Sequence, residues 1–140
     1  MLTKLTTAGL ALVLGVSGLG LAPAAAAAPA AAAQGGATAA PAFNASGNYQ
    51  LFQSRGGTTR VNVTQDGSGR LYGSASSSAG VGTIEQGVVE GTGISFTIGW
   101  SFGSRGRYVG SLGSDRRLSG TTFDLTIPSS QATWITDRTF

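Results

Sequence analysis

Cysteine and histidine are both missing from this chain of 140 residues, and lysine occurs once, at Lys4. Their absence removes the usual zinc and transition-metal ligands and the Ser–His and Cys–His pairs of nucleophilic catalysis. Without cysteine there is also no disulfide, no thiol redox chemistry and no N-terminal cysteine for lipid attachment. A folded body must then rest on an apolar core and a closed set of hydrogen bonds. Charge is sparse as well. Nine basic residues stand against six acids, a formal +3 that falls to +2 without Lys4. Nucleic-acid proteins normally carry a clustered basic excess, so no nucleic-acid partner is expected.

Six carboxylates remain for acid–base work. Glu85 and Glu90 lie five apart in one strand-like stretch, which puts them on opposite faces unless Gly87 is a bulge; a glycosidase pair must flank one bond. Asp66 and Asp115 belong to turn sequences, while Asp124 and Asp137 read as cross-strand partners of Arg117 or Arg138. No group of acids offers the several neighbouring oxygens of a calcium site. The expectation is a non-enzymatic protein with no catalytic residue, no metal and no cofactor.

What is present divides the chain into three. Residues 1–28 read as a secretory signal peptide: Lys4 in a short start, an apolar run from Leu5 to Leu21, and small-residue cleavage options such as Ala24-Ala25-Ala26. A retained anchor needs about 20 apolar residues, and this run is shorter and diluted by Thr6, Thr7, Gly15, Ser17, Gly18 and Gly20. No Arg-Arg pair precedes it, which favours the general secretory route and a secreted product with no membrane span after processing. Residues 29–42 are an Ala/Pro-rich spacer with too little side chain to fold. Residues 43–140 form the folded domain, large enough to fold alone.

Within that domain one phrase occurs three times: arginine, an apolar residue, any residue, glycine, then Ser or Thr. The copies are Arg70-Leu71-Tyr72-Gly73-Ser74, Arg107-Tyr108-Val109-Gly110-Ser111 and Arg117-Leu118-Ser119-Gly120-Thr121. Each lies in a stretch of period-two alternation, and a recurring mid-strand glycine suggests strands that coil tightly, as in a small barrel. Gly47–Ser54, Arg60–Gln65, Arg70–Ser76 and Thr83–Glu90 read as strands. So do Ile94–Phe102, Gly106–Leu112, Leu118–Ile127 and Ala132–Arg138, with Ser77–Gly82 as a loop. In the clearest of them Ile94, Phe96, Ile98, Trp100 and Phe102 share one face. About eight antiparallel strands with short connections predict an all-β, up-and-down barrel, with a two-sheet sandwich as the alternative.

Gly47-Asn48-Tyr49, Leu71-Tyr72-Gly73-Ser74, Phe96-Thr97-Ile98-Gly99-Trp100, Thr121-Thr122-Phe123 and Trp134 to Arg138 together resemble the strand words of the avidin-like barrels and the wider lipocalin-like (calycin) group. The resemblance implies a closed barrel with a ligand at its mouth and a basic side chain from the last strand plugging the other end over a first-strand aromatic. Those two residues would be Arg138 and Tyr49. It does not carry a biotin site: the polar positions of that pocket fall on Leu51, Arg55 and Ala75, and buried polar ligands lose most of their affinity without such partners. Gly106 to Gly110, Gly120 to Asp124, Pro128 to Ser130 and Ala132 to Trp134 are also similar to a domain that recurs in small secreted actinobacterial proteins.

Trp100, Tyr108, Phe123 and Trp134 are the candidate ligand-binding walls, set against the alternative that they fill a solid barrel. Arg105, Arg107, Arg116 and Arg117 gather around one hairpin and suggest an envelope-glycan contact, or else solvated turn residues. The leading expectation is a secreted binding module holding a small hydrophobic or aromatic molecule in the barrel mouth. The alternative is a protein-interaction module, such as a protease inhibitor that inserts the arm Ala39 to Asn44, or an envelope-associated structural protein.

Overall fold

The structure is a computed structural model that describes residues 39–140. The signal peptide expected over 1–28 and the spacer as far as residue 38 lie outside the described residues. Eight strands follow one another: β1 (Gly47–Gln53), β2 (Thr58–Gln65), β3 (Arg70–Ser77), β4 (Gly80–Glu90), β5 (Gly93–Trp100), β6 (Arg105–Leu112), β7 (Arg117–Asp124) and β8 (Gln131–Thr139). Each pairs antiparallel with the next, and β8 returns to β1, closing the barrel. The period-two alternation is therefore resolved in favour of a barrel over a sandwich.

Alternate residues point inward and make the core: Leu51 on β1, Val61 and Val63 on β2, Leu71 on β3, Ile84 and Val89 on β4, Ile94, Phe96 and Ile98 on β5. The outer wall is largely Ser, Thr, Asn, Gln and Arg. This polarity is the reverse of a barrel that spans a bilayer, whose apolar band faces outward. The three repeats fall on β3, β6 and β7, and in each the apolar residue and the glycine face inward. At Gly73 φ is 145°, and an added Cβ would collide with the carbonyl of Asn62. The glycines thus mark places where neighbouring backbones approach closely, as tight coiling requires.

Several boundaries differ from the alternation. Ser77–Gly82 is a tight hairpin, with Ser77 opposite Gly80 and only Ser78 and Ala79 between the strands. At Gly87 the register shifts, with Gln86 at φ 49°. The bulge turns both Glu85 and Glu90 to the outer wall, where Glu85 pairs with Arg105. β7 ends at Asp124 because that side chain competes for backbone donors: its Oδ1 accepts the amides of Thr126 (2.7 Å) and Ile127 (3.1 Å). Leu125 to Ile127 consequently leave the sheet. Phe102 lies beyond the end of β5, in the turn to β6, and is exposed.

The closing seam is short. Its register covers three pairs, Leu51 to Gln53, against seven between β6 and β7. Side chains extend it at both ends. Asp137 Oδ1 accepts the Gln50 amide (2.9 Å), and Ser54 Oγ accepts the Thr133 amide (3.0 Å) while the Ser54 amide donates to the Thr133 carbonyl (2.9 Å). The cross-strand ion pairs expected of Asp124 and Asp137 do not form; both carboxylates serve backbone or hydroxyl donors instead.

Candidate functional site at the barrel mouth

The barrel has a base, where β1 begins and β8 ends, and a mouth, where β5 ends and β6 begins. At the base the Arg138 guanidinium carbon lies 5.7 Å from the Tyr49 ring centroid and 4.7 Å from that of Phe140. Phe140 meets Tyr49 edge-on at 4.9 Å and Phe43 at 6.1 Å. The Tyr49 hydroxyl donates to the Ala45 carbonyl (3.1 Å), and burial pushes its pKa up. The sequence pointed to Tyr49 and Arg138 but not to Phe43 and Phe140, which flank the repeats and carry no alternation of their own. Pro41 bridges Gly91, with the Ala42 amide on the Gly91 carbonyl (2.8 Å) and the Gly91 amide on the Ala40 carbonyl (3.0 Å). The segment entering β1 is thereby strapped across the base.

The middle of the barrel is filled. Phe96 and Tyr108 stack with centroids 5.0 Å apart and planes 5° from parallel, and Trp134 leans on both at 6.2 Å. Tyr108 and Trp134 are 3% and 2% exposed, so neither ring faces a ligand-sized space. The Tyr108 hydroxyl sits at the upper edge of this layer, where Gln53 Nε2 bridges it and Thr59 Oγ1, each at 3.1 Å. Burial raises the Tyr108 pKa, partly offset by those hydroxyl and amide partners.

Above this layer the mouth holds a depression of about 160 Å³ whose lining includes Gln53, Arg55, Trp100, Gly106, Thr122, Asp124 and Gln131. Trp100 stands at its side, half-buried, with Phe102 stacked on it at 5.7 Å and 16°. Gly106 is the floor. A methyl there would stand 3.3 Å from Tyr108 Cε2, 3.8 Å from Thr122 Oγ1 and 3.9 Å from Trp100 Nε1, so the absent side chain is what leaves the space open. Asp124 Oδ2 accepts the Ser104 hydroxyl (2.7 Å) and so joins the two rim turns; that bond, with the Thr126 and Ile127 amides, holds its pKa down.

Of the four expected walls, Trp100 alone presents its ring to the depression. Phe123 borders it but alternates with buried Thr122, which places the ring on the outer wall opposite Arg107. The repeat itself carried that phase: with Leu118 and Gly120 inward, Thr122 follows inward and Phe123 outward. Gln53 and Gly106 were missed, being a strand-end amide and a glycine. The four hairpin arginines are not one patch. Arg105 and Arg107 lie toward the mouth, Arg116 and Arg117 at the base, and Arg107 donates to Thr97 and Ser95 hydroxyls at 3.3 Å.

Among the described residues no group of three or more acids, histidines or cysteines is arranged to hold a metal ion. Compared with known protein families, curated proteins and solved structures, the chain matches none. The closed eight-stranded antiparallel barrel is compatible with a calycin-like architecture.

Proposed function

We propose that this chain is an exported, non-enzymatic binding module whose mouth receives one ring of a small ligand against the indole of Trp100. The observation that carries the reading is the Gly106-floored depression. A cavity of about 150 Å³ takes a single benzene ring, so a depression of about 160 Å³ has room to seat one ring. Drug-sized ligands occupy about 300–1,000 Å³. The surrounding Gln53, Arg55, Thr122 and Gln131 favour a ring with polar edges, such as a hydroxylated or amide-bearing one, over a bare hydrocarbon. The strap of Ala40 and Ala42 onto Gly91 supports the mouth, rather than a free N-terminal arm, as the working element.

Tryptophan emission titrated with phenols, aromatic amides and monosaccharides tests this. At least one class is expected to shift the emission saturably, and Gly106→Val, which fills the floor from an ordinary strand backbone, is expected to abolish the shift. No response to any class, or an unchanged affinity in Gly106→Val with the melting curve intact, overturns the proposal.

A further inference from the structure

The rim carries an apolar fringe that a ligand inside the mouth would not use. Val81, Phe102, Leu125 and Ile127 are 62, 55, 44 and 59% exposed, half of the large exposed hydrophobics among the described residues. All four lie at the mouth end. Val81 is the second residue of β4 and its carbonyl accepts the Ser101 amide (2.8 Å), next to Phe102 on the β5–β6 turn. The Leu125 amide donates to the Arg105 carbonyl (2.8 Å), and Ile127 is held by Asp124. The backbone that carries these exposed side chains is held by specific hydrogen bonds, not left on loose ends.

Charge follows the same axis. The base half carries Arg70, Arg116, Arg117 and Arg138 against Asp66, Glu90, Asp115 and Asp137 and is balanced. The mouth half carries Arg55, Arg60, Arg105 and Arg107 against Glu85 and Asp124. Glu85 is taken by Arg105, and Asp124 by Ser104 and two amides, so exposed Arg55 and Arg60 have no acidic partner among the described residues. The whole positive surplus of the domain therefore accompanies the apolar fringe.

We propose that the rim docks on an anionic lipid surface, with Val81, Phe102, Leu125 and Ile127 entering the headgroup–acyl boundary and Arg55 meeting lipid phosphates. Apolar tips from separate turns around a polar depression give no continuous flat face to a rigid protein. A fluid interface accepts each tip individually, and paired apolar and cationic contacts are what stable peripheral binding needs. The inference is separable from the ring-binding reading through its apolar tips, none of which lines the depression, whereas Arg55 borders both.

Quenching of tryptophan emission by vesicles with brominated acyl chains reads the docking directly. Trp100 lies under Phe102 at the rim, while Trp134 is sealed in the core and supplies an unquenched background. The full chain is expected to be quenched on phosphatidylglycerol vesicles, less on phosphatidylcholine, and less again at high salt. F102S/L125S/I127S is expected to weaken the effect about a hundredfold in lipid concentration, given three apolar side chains withdrawn from the boundary. Arg55→Glu is expected to weaken it on anionic vesicles alone. No quenching on anionic vesicles, equal quenching on neutral ones, or an unchanged triple variant overturns the proposal. Rim capture by a protein without vesicle binding overturns it too. A chain that answers ring ligands but not vesicles loses this inference and keeps the other.

Discussion

Gly110 and Gly120 are direct partners across β6 and β7, and the indole of Trp134 lies against the space that the missing side chain of Gly110 leaves. An added Cβ on Gly110 would stand 2.7 Å from Trp134 Cζ2, and one on Gly120 would stand 2.5 Å from the Gly110 Cα. Two copies of the repeat are thereby explained by one packing event. The glycines let two backbones close up under the largest side chain of the core, and that chain in turn seats the Phe96–Tyr108 stack. The arrangement leaves Trp134 Nε1 buried without a hydrogen-bond partner.

Gly120→Ala should therefore be costly. The methyl meets the Val109 carbonyl and the Gly110 Cα, both backbone, so no rotamer change relieves the contact. Overpacking of this kind costs about 1–3 kcal/mol, and each kcal/mol shifts the melting temperature of a domain this size by about 4–8 °C. Gly67→Ala, in the Asp66–Gly69 turn with nothing within 4 Å of its added methyl, is the matched control. It should be neutral or slightly stabilising through the unfolded chain. Thermal melts of the two variants separate a packing requirement from a general intolerance of alanine.

Arg138→Ala should lower stability and leave the mouth alone. The guanidinium covers Tyr49 and Phe140 and donates to the Ser46 carbonyl (3.1 Å), all at the base. An exposed cation–π contact contributes about 0.5–1 kcal/mol, which predicts a melting temperature lower by several degrees. Titration of ring ligands should give the wild-type curve, because Gly106 and Trp100 lie at the opposite end of the barrel. A lost ligand response with an unchanged melt would place Arg138 in a different role.

The strands were legible because one face of each is buried, and burial writes a period of two directly into residue choice. Val61 and Val63, or Ile94 through Trp100, needed no further context. Turns were legible where they depended on glycine or aspartate, as at Asp66–Gly69. Ser78-Ala79 was not, since it reverses the chain without Gly, Pro or Asn at its centre. Leu125 and Ile127 continue the alternation of β7 in sequence, and only the Asp124 side chain, turned back on the Thr126 and Ile127 amides, ends the strand before them. The mouth was the least legible part. Its floor is made by what Gly106 lacks, and whether Trp100 faced a space or a filled core depended on neighbours from four other strands.

Alkali should unfold this domain through its two buried tyrosines. Burial raises the pKa of both Tyr49 and Tyr108 above the ordinary 10.0, more than the nearby Arg138 charge lowers the first or the hydroxyl and amide partners lower the second. In the folded state each phenol keeps its proton at a pH where the unfolded chain has lost it, so the folded state binds more protons and stability falls as pH rises. The contribution is complete below pH 10 and is lost progressively above it, through the raised folded values. The tyrosinate absorbance of Tyr49 and Tyr108 is expected to appear together with loss of the sheet signal in circular dichroism, as one transition. Tyr108→Phe removes one of the two titrating groups and should make the alkaline loss of stability shallower. A tyrosinate signal from these two residues that rises fully while the sheet signal is intact would mean that both phenols reach solvent in the folded barrel.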